Sequence, residues 1–138
     1  MNFLFYTKLY LASLIVFLGV DFFWLSFVAT TFYKDQIGFL LSTQPNIAAA
    51  GIFYAIYVVG LLYFVVLPAL KVKKSHAGIV GFAGAFFGFV AYATYELTNF
   101  ATVANWPFEL VIVDMIWGTV LTAVTAWAGF VIGRKLLA

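Results

Sequence analysis

Apolar residues run through this chain in long blocks separated by short polar stretches. Four blocks reach the roughly 20 residues that a helix needs to cross the hydrocarbon of a bilayer. They cover 9–28, 47–70, 77–97 and 108–132. Pro68 and the cluster Lys71, Lys73 and Lys74 close the second block. Glycine enriches the third, and Pro107 opens the fourth, where proline suits a first helical position. Short connections between such segments predict an all-α membrane protein, a single domain over 1–138 with four transmembrane helices in an up-down-up-down bundle. The first block carries Lys8 and an apolar run, as a cleaved leader would. It is too long for one, holds Asp21, and lacks a small-residue cleavage site after it, so it is expected to be retained.

Composition sharpens this picture. The chain is 66% hydrophobic and 9% charged, where an ordinary soluble domain is about a quarter charged. That excludes a soluble enzyme, a nucleic-acid binder and a disordered tail. There is no cysteine, hence no disulfide framework, thiolate metal site or cysteine nucleophile. The net charge of +2 says little, but the positions of the charges say more. Lys8, Lys71, Lys73, Lys74, Arg134 and Lys135 fall on one side of the four-span topology, and only Lys34 on the other. By the positive-inside rule both termini and the central loop are expected in the cytoplasm, with 29–46 and 98–107 outside. The 29–46 stretch mixes Phe32, Tyr33, Ile37 and Phe39 with Lys34, Asp35 and Gln36. It reads either as an amphipathic segment lying on the membrane or as a plain aromatic-belt connector. The basic central loop fixes topology, with binding of anionic lipid headgroups as the alternative. His76 beside it reads as a surface residue.

The chemistry lies in the acids. Asp21, Glu96, Glu109 and Asp114 sit in or next to apolar spans, where a carboxylate must be paired, protonated or wet. No Lys or Arg lies mid-span to pair with them. At 1.5 Å per residue, Asp21 lies ~10 Å and Asp114 ~9 Å from the outer ends of their helices. Glu96 is near the outer end of the third. Three acids on three helices therefore share one half of the membrane. Glu109, just after Pro107, suits the helix dipole.

The neighbours agree. Val20-Asp21-Phe22-Phe23-Trp24 and Val113-Asp114-Met115-Ile116-Trp117 repeat one V-D-x-x-W pattern on helices of opposite direction. Each Trp shares a helical face with its acid. That arrangement suits a pseudo-two-fold site, and chance similarity of so short a pattern is the alternative. Tyr92, Tyr95, Glu96 and Asn99 continue a stripe that begins at Gly81, Gly84 and Gly88. Asp114, Gly118, Thr122, Thr125 and Gly129 form a matching stripe on the fourth helix. The two helices are expected to pack along these stripes, although the Gly81/Gly84/Gly88 face would also serve a homodimer. The polar 98–106 stretch would cap the site, with Trp106 read as a belt aromatic. The candidate ligand-binding set is Asp21, Trp24, Tyr92, Tyr95, Glu96, Asn99, Asp114 and Trp117.

Val20 to Leu25, Phe32-Tyr33, Tyr92 to Asn99, Trp106-Pro107, Val113-Asp114 and Trp117-Gly118-Thr119 together resemble the bacterial membrane proteins grouped as domain of unknown function 2177. The resemblance covers nearly the whole chain. Many members carry Asp where this chain has Glu96, which keeps the carboxylate. The resemblance implies a four-helix protein of the bacterial inner membrane and supplies no activity.

Three functions fit these residues. The first is binding or proton-coupled transport of a small cationic or hydroxylated molecule at an outward-facing acid and aromatic site. The second is a membrane-embedded enzyme acting on a lipid or isoprenoid, with Asp21, Asp114 and Glu96 as acid/base candidates. The third is an accessory or assembly subunit whose acids are struts. No cofactor motif is present, and without a nearby histidine a catalytic zinc site is not expected. Lipids are the one partner certain from composition, and no nucleic acid is expected.

Overall fold

In the computed structural model, which describes all 138 residues, the chain is helical and contains no strand. Four helices are long and apolar enough to cross a membrane: α1 (Phe3–Leu40), α2 (Ile47–Lys71), α3 (Ala77–Thr102) and α4 (Phe108–Leu137). Only 41–46, 72–76 and 103–107 connect them. Large apolar side chains such as Phe22, Phe27, Phe64, Phe82 and Phe86 point outward. Such a surface needs acyl chains around it, since leaving it exposed to water would be costly.

Local chemistry sets the helix starts. Asn2 accepts from Phe5 N and Asn46 from Ala49 N, both at 3.0 Å, so each side chain satisfies an amide that the first turn leaves free. Pro107 stands one residue before α4, with extended backbone. Asn105 takes a positive φ of 60° in the turn before it, a conformation asparagine tolerates better than most residues. At the lysine-rich end Arg134 donates to Val72 O at 2.7 Å and fastens α4 to the turn between α2 and α3.

The helices overrun the segments expected from hydropathy, and α1 most of all. The stretch 29–46, expected as an outer loop, is helical as far as Leu40. Continuation is possible because no Gly or Pro interrupts 20–37, and a started helix extends cheaply. Wide π turns mark two helices. In α2 they cover Leu62–Val66, and Leu67 N–H bonds to Leu62 O, five residues back. Pro68 follows, whose ring would strike the carbonyl of Phe64 in a regular helix, and the wider turn relieves that clash. Pro68 therefore does not close the helix, which runs on to Lys71. In α1 the π turns cover Leu25–Ala29, where no proline explains them.

The closest packing is between α3 and α4. A Cβ on Gly84 would collide with Ala126 and Thr122 O, and one on Gly88 with Gly118 O and the Thr122 side chain. On Gly81 it would meet Trp127 and Ala123 in ordinary contact. The Gly81/Gly84/Gly88 face thus packs against α4 of the same chain, as the matching stripes predict. The core along α1, α2 and α4 holds Leu9, Phe17, Val58, Leu61, Val66 and Leu121, all without solvent contact. By contrast α2 and α3 approach each other chiefly around Leu62–Val66.

Gly88→Ala is expected to destabilise the bundle by about 1–3 kcal/mol, as overpacking does. Gly19→Ala should not, because nothing lies within 4 Å of a Cβ there. Equilibrium unfolding of both variants in detergent checks this, and equal losses would contradict the packing.

Candidate functional site

The three deep acids are buried together at the lysine-poor end: Asp21 is 7%, Glu96 1% and Asp114 8% exposed. Each is met by donors from other parts of the chain. Asp21 on α1 accepts from Tyr54 OH on α2 (2.6 Å) and from Trp117 Nε1 on α4 (3.2 Å). Asp114 on α4 accepts from Tyr33 OH on the extension of α1. Glu96 accepts from Trp106 Nε1 at 2.9 Å, in the turn after its own helix. Carboxylates removed from water are costly unless hydrogen-bonded. Here aromatic O–H and N–H groups do this, because no cation is within reach.

The two V-D-x-x-W segments cross. Trp24 and Trp117 stack with ring centroids 4.3 Å apart and planes 6° from parallel. Trp117 serves the acid of the other segment, Asp21, directly. Trp24 donates to Tyr33 OH at 3.3 Å, and Tyr33 in turn serves Asp114. Each tryptophan thus supports the acid of the opposite helix, Trp117 directly and Trp24 through Tyr33.

Tyr33 reaches Asp114 because of the π turns. Twelve residues of regular helix would leave Tyr33 about 120° around the axis from Asp21. The wide turns at Leu25–Ala29 take back about one residue of rotation, roughly 100°, and bring Tyr33 to the acid face. Three residues further on, Gln36 donates to Glu109 at 3.3 Å. The extension of α1 therefore lies over this end of the bundle. Tyr33 and Trp106 sit against two of the acids at this end.

The opening of the site lies elsewhere. A cavity of about 350 Å³ is walled by Phe53 and Tyr57 of α2 and Ala91, Tyr92 and Tyr95 of α3, with Asp114 of α4. Tyr92 lies against Gly118, where a Cβ would strike its ring. Tyr57 pairs with Thr122 Oγ1 at 2.8 Å, and Thr122 already donates to Gly118 O, so Tyr57 is the donor. The Glu96 carboxyl neighbours that of Asp114.

Of the residues singled out from sequence, Asp21, Trp24, Asp114 and Trp117 form one connected network. Tyr92, Tyr95 and Asp114 share the cavity, and Glu96 adjoins it. Asn99 is not with them: it interacts with Tyr95 on its own helix. Thr98 and Thr102, expected in a capping loop, lie on α3 and bond back to its carbonyls. Sequence reasoning missed Tyr33, Phe53, Tyr54 and Tyr57 as site residues and read Trp106 as a belt aromatic. Tyr54, Tyr57 and Leu61 follow one helical face, which is a detectable signal. Tyr33 gave none, since only the π turns align it.

Fold and site define a multi-pass membrane protein with buried carboxyls beside an aromatic cavity. The chain belongs to the family described as "Predicted membrane protein (DUF2177)", whose model matches residues 6–131. Searches of curated proteins and of solved structures give no match.

Tyr54→Phe and Trp117→Phe each remove one donor from Asp21. Each is expected to cost about 0.6 kcal/mol of stability, at most about 1.7, the range for hydrogen bonds between membrane helices. Together they should cost more than their sum, because the acid is then left without a donor. The excess should vanish in an Asp21→Asn background, and unfolding in micelles measures it.

Proposed function

We propose that this chain binds, and exchanges for a proton, a small cationic or hydroxylated molecule at the cavity floored by Asp114. The observation that carries the reading is that cavity: one carboxyl among one phenylalanine and three tyrosine rings, with no basic residue in its wall. Ring faces and a carboxylate attract the same ligands, cations and hydroxyl donors. In this reading Glu96, buried beside Asp114, holds the exchangeable proton. A cation settling on Asp114 competes with that proton, so binding and proton release are linked. The lysine distribution supports a cytoplasmic location for both termini and for 72–76, and the resemblance described above supports the bacterial inner membrane as the setting.

Tetramethylammonium and choline serve as probes. Binding to the purified protein should release protons into a weakly buffered solution, read with a pH indicator. Asp114→Asn should lower affinity about tenfold or more, the worth of a charge-assisted contact. Glu96→Gln should keep binding and suppress the proton release. Binding unchanged in Asp114→Asn would remove the reading.

A further inference from the structure

Beside the cavity over Asp114 lies a second, wholly apolar one that shares a wall residue with it. The shared residue, Ala91, ends this furrow of about 480 Å³ between α2 and α3, lined only by apolar side chains such as Phe64, Phe86, Phe87 and Val90. Along α3 the furrow runs from Ala91 back to Ala83, ~12 Å at the helical rise. The cavity mouth is flanked by Phe53 and Tyr95, 47% and 57% exposed, on the flank where acyl chains would lie. The way in along the helix axes is covered by Tyr33 on Asp114, Trp106 on Glu96 and Gln36 on Glu109. A solute from water thus meets a cover, whereas a molecule dissolved in the bilayer meets an open side. Tyr92 lines the cavity and its hydroxyl has no side-chain hydrogen bond within the chain. That leaves an uncommitted polar group beside the acid.

Resting on the reading above, we propose that the ligand is a single-chain amphiphile with an ammonium headgroup, taken sideways from the membrane between α2 and α3. The head lies on Asp114 among the aromatic rings, and the chain lies in the furrow toward Ala83. A phosphate-bearing head is disfavoured there by the carboxyl floor and the absence of any cation in the wall. The furrow supplies apolar burial in proportion to chain length, and the acid supplies selection by charge.

The experiment compares tetramethylammonium, octyltrimethylammonium and dodecyltrimethylammonium on the full chain in lipid nanodiscs, below micelle-forming concentrations. Asp114→Asn nanodiscs subtract partition into lipid. The Asp114-dependent affinity is expected to rise about tenfold or more with each lengthening, as added methylenes are buried. Ala83→Phe fills the far end of the furrow. It should remove the gain from chain length and leave tetramethylammonium binding unchanged, with Ala83→Leu as a gentler filling should the first variant misfold. Asp114-dependent binding that ignores chain length would overturn the amphiphile and leave the cation site standing. A chain-length gain that persists in Asp114→Asn is partition alone and overturns it as well. No binding of any probe would remove both readings.

Discussion

Three carboxyl groups held inside an apolar bundle, with no lysine or arginine beside them, must each find a hydrogen-bond donor from another part of the chain. The rest of the structure answers to this requirement. Asp21 draws α2 and α4 to α1 through Tyr54 and Trp117. Asp114 draws the extension of α1 across the end of the bundle through Tyr33. Glu96 fixes the α3–α4 turn through Trp106. In hydrocarbon an unpaired acid costs several kcal/mol, more than most single packing contacts contribute. The acids therefore act as registration points between helices.

The donors have a consequence for access. Tyrosine and tryptophan supply O–H and N–H groups at the end of large flat rings. Satisfying the acids in this way also fills the space over them. Trp24 and Trp117 stack on each other, Trp117 linked to Asp21 directly and Trp24 to Asp114 through Tyr33. What stays open is the flank where α2 and α3 diverge. The glycines of α3 are used against α4, where close backbone approach gives tight packing. No such small-residue seam joins α3 to α2, and the cavity lies between them. One face of α3 thus makes the firmest contact in the bundle and another borders its opening.

Both π stretches change where side chains point without ending a helix. At Leu62–Val66 the wider turn accommodates Pro68 and lets α2 continue. At Leu25–Ala29 it rotates the second half of α1 so that Tyr33 joins the face of Asp21. The second case decides how Asp114 is satisfied: regular winding would point Tyr33 away and leave the acid short of a donor.

The four spans were legible in the sequence because block hydropathy reports a purely local requirement, that each segment satisfy its own backbone in lipid. The acids were legible for the same reason, since a charged residue in an apolar run is conspicuous wherever it points. The α3–α4 stripe was legible through its spacing of small residues. Other features depended on tertiary structure. Periodicity assumes regular winding, so the π turns that place Tyr33, and the cover they create, could not be foreseen. Hydropathy ends a span where polar residues begin, so the extension of α1 past Val28 read as loop. A donor is recognised only with its acceptor, so Tyr54, Trp106 and the crossed service of Asp21 and Asp114 by Trp117 and Trp24 came from the three-dimensional arrangement. The Gly81/Gly84/Gly88 face packs against α4, as its spacing suggested. Sequence determined which groups are too costly to leave alone in the membrane, and tertiary structure decided which neighbours satisfy them and which side of the site stays open.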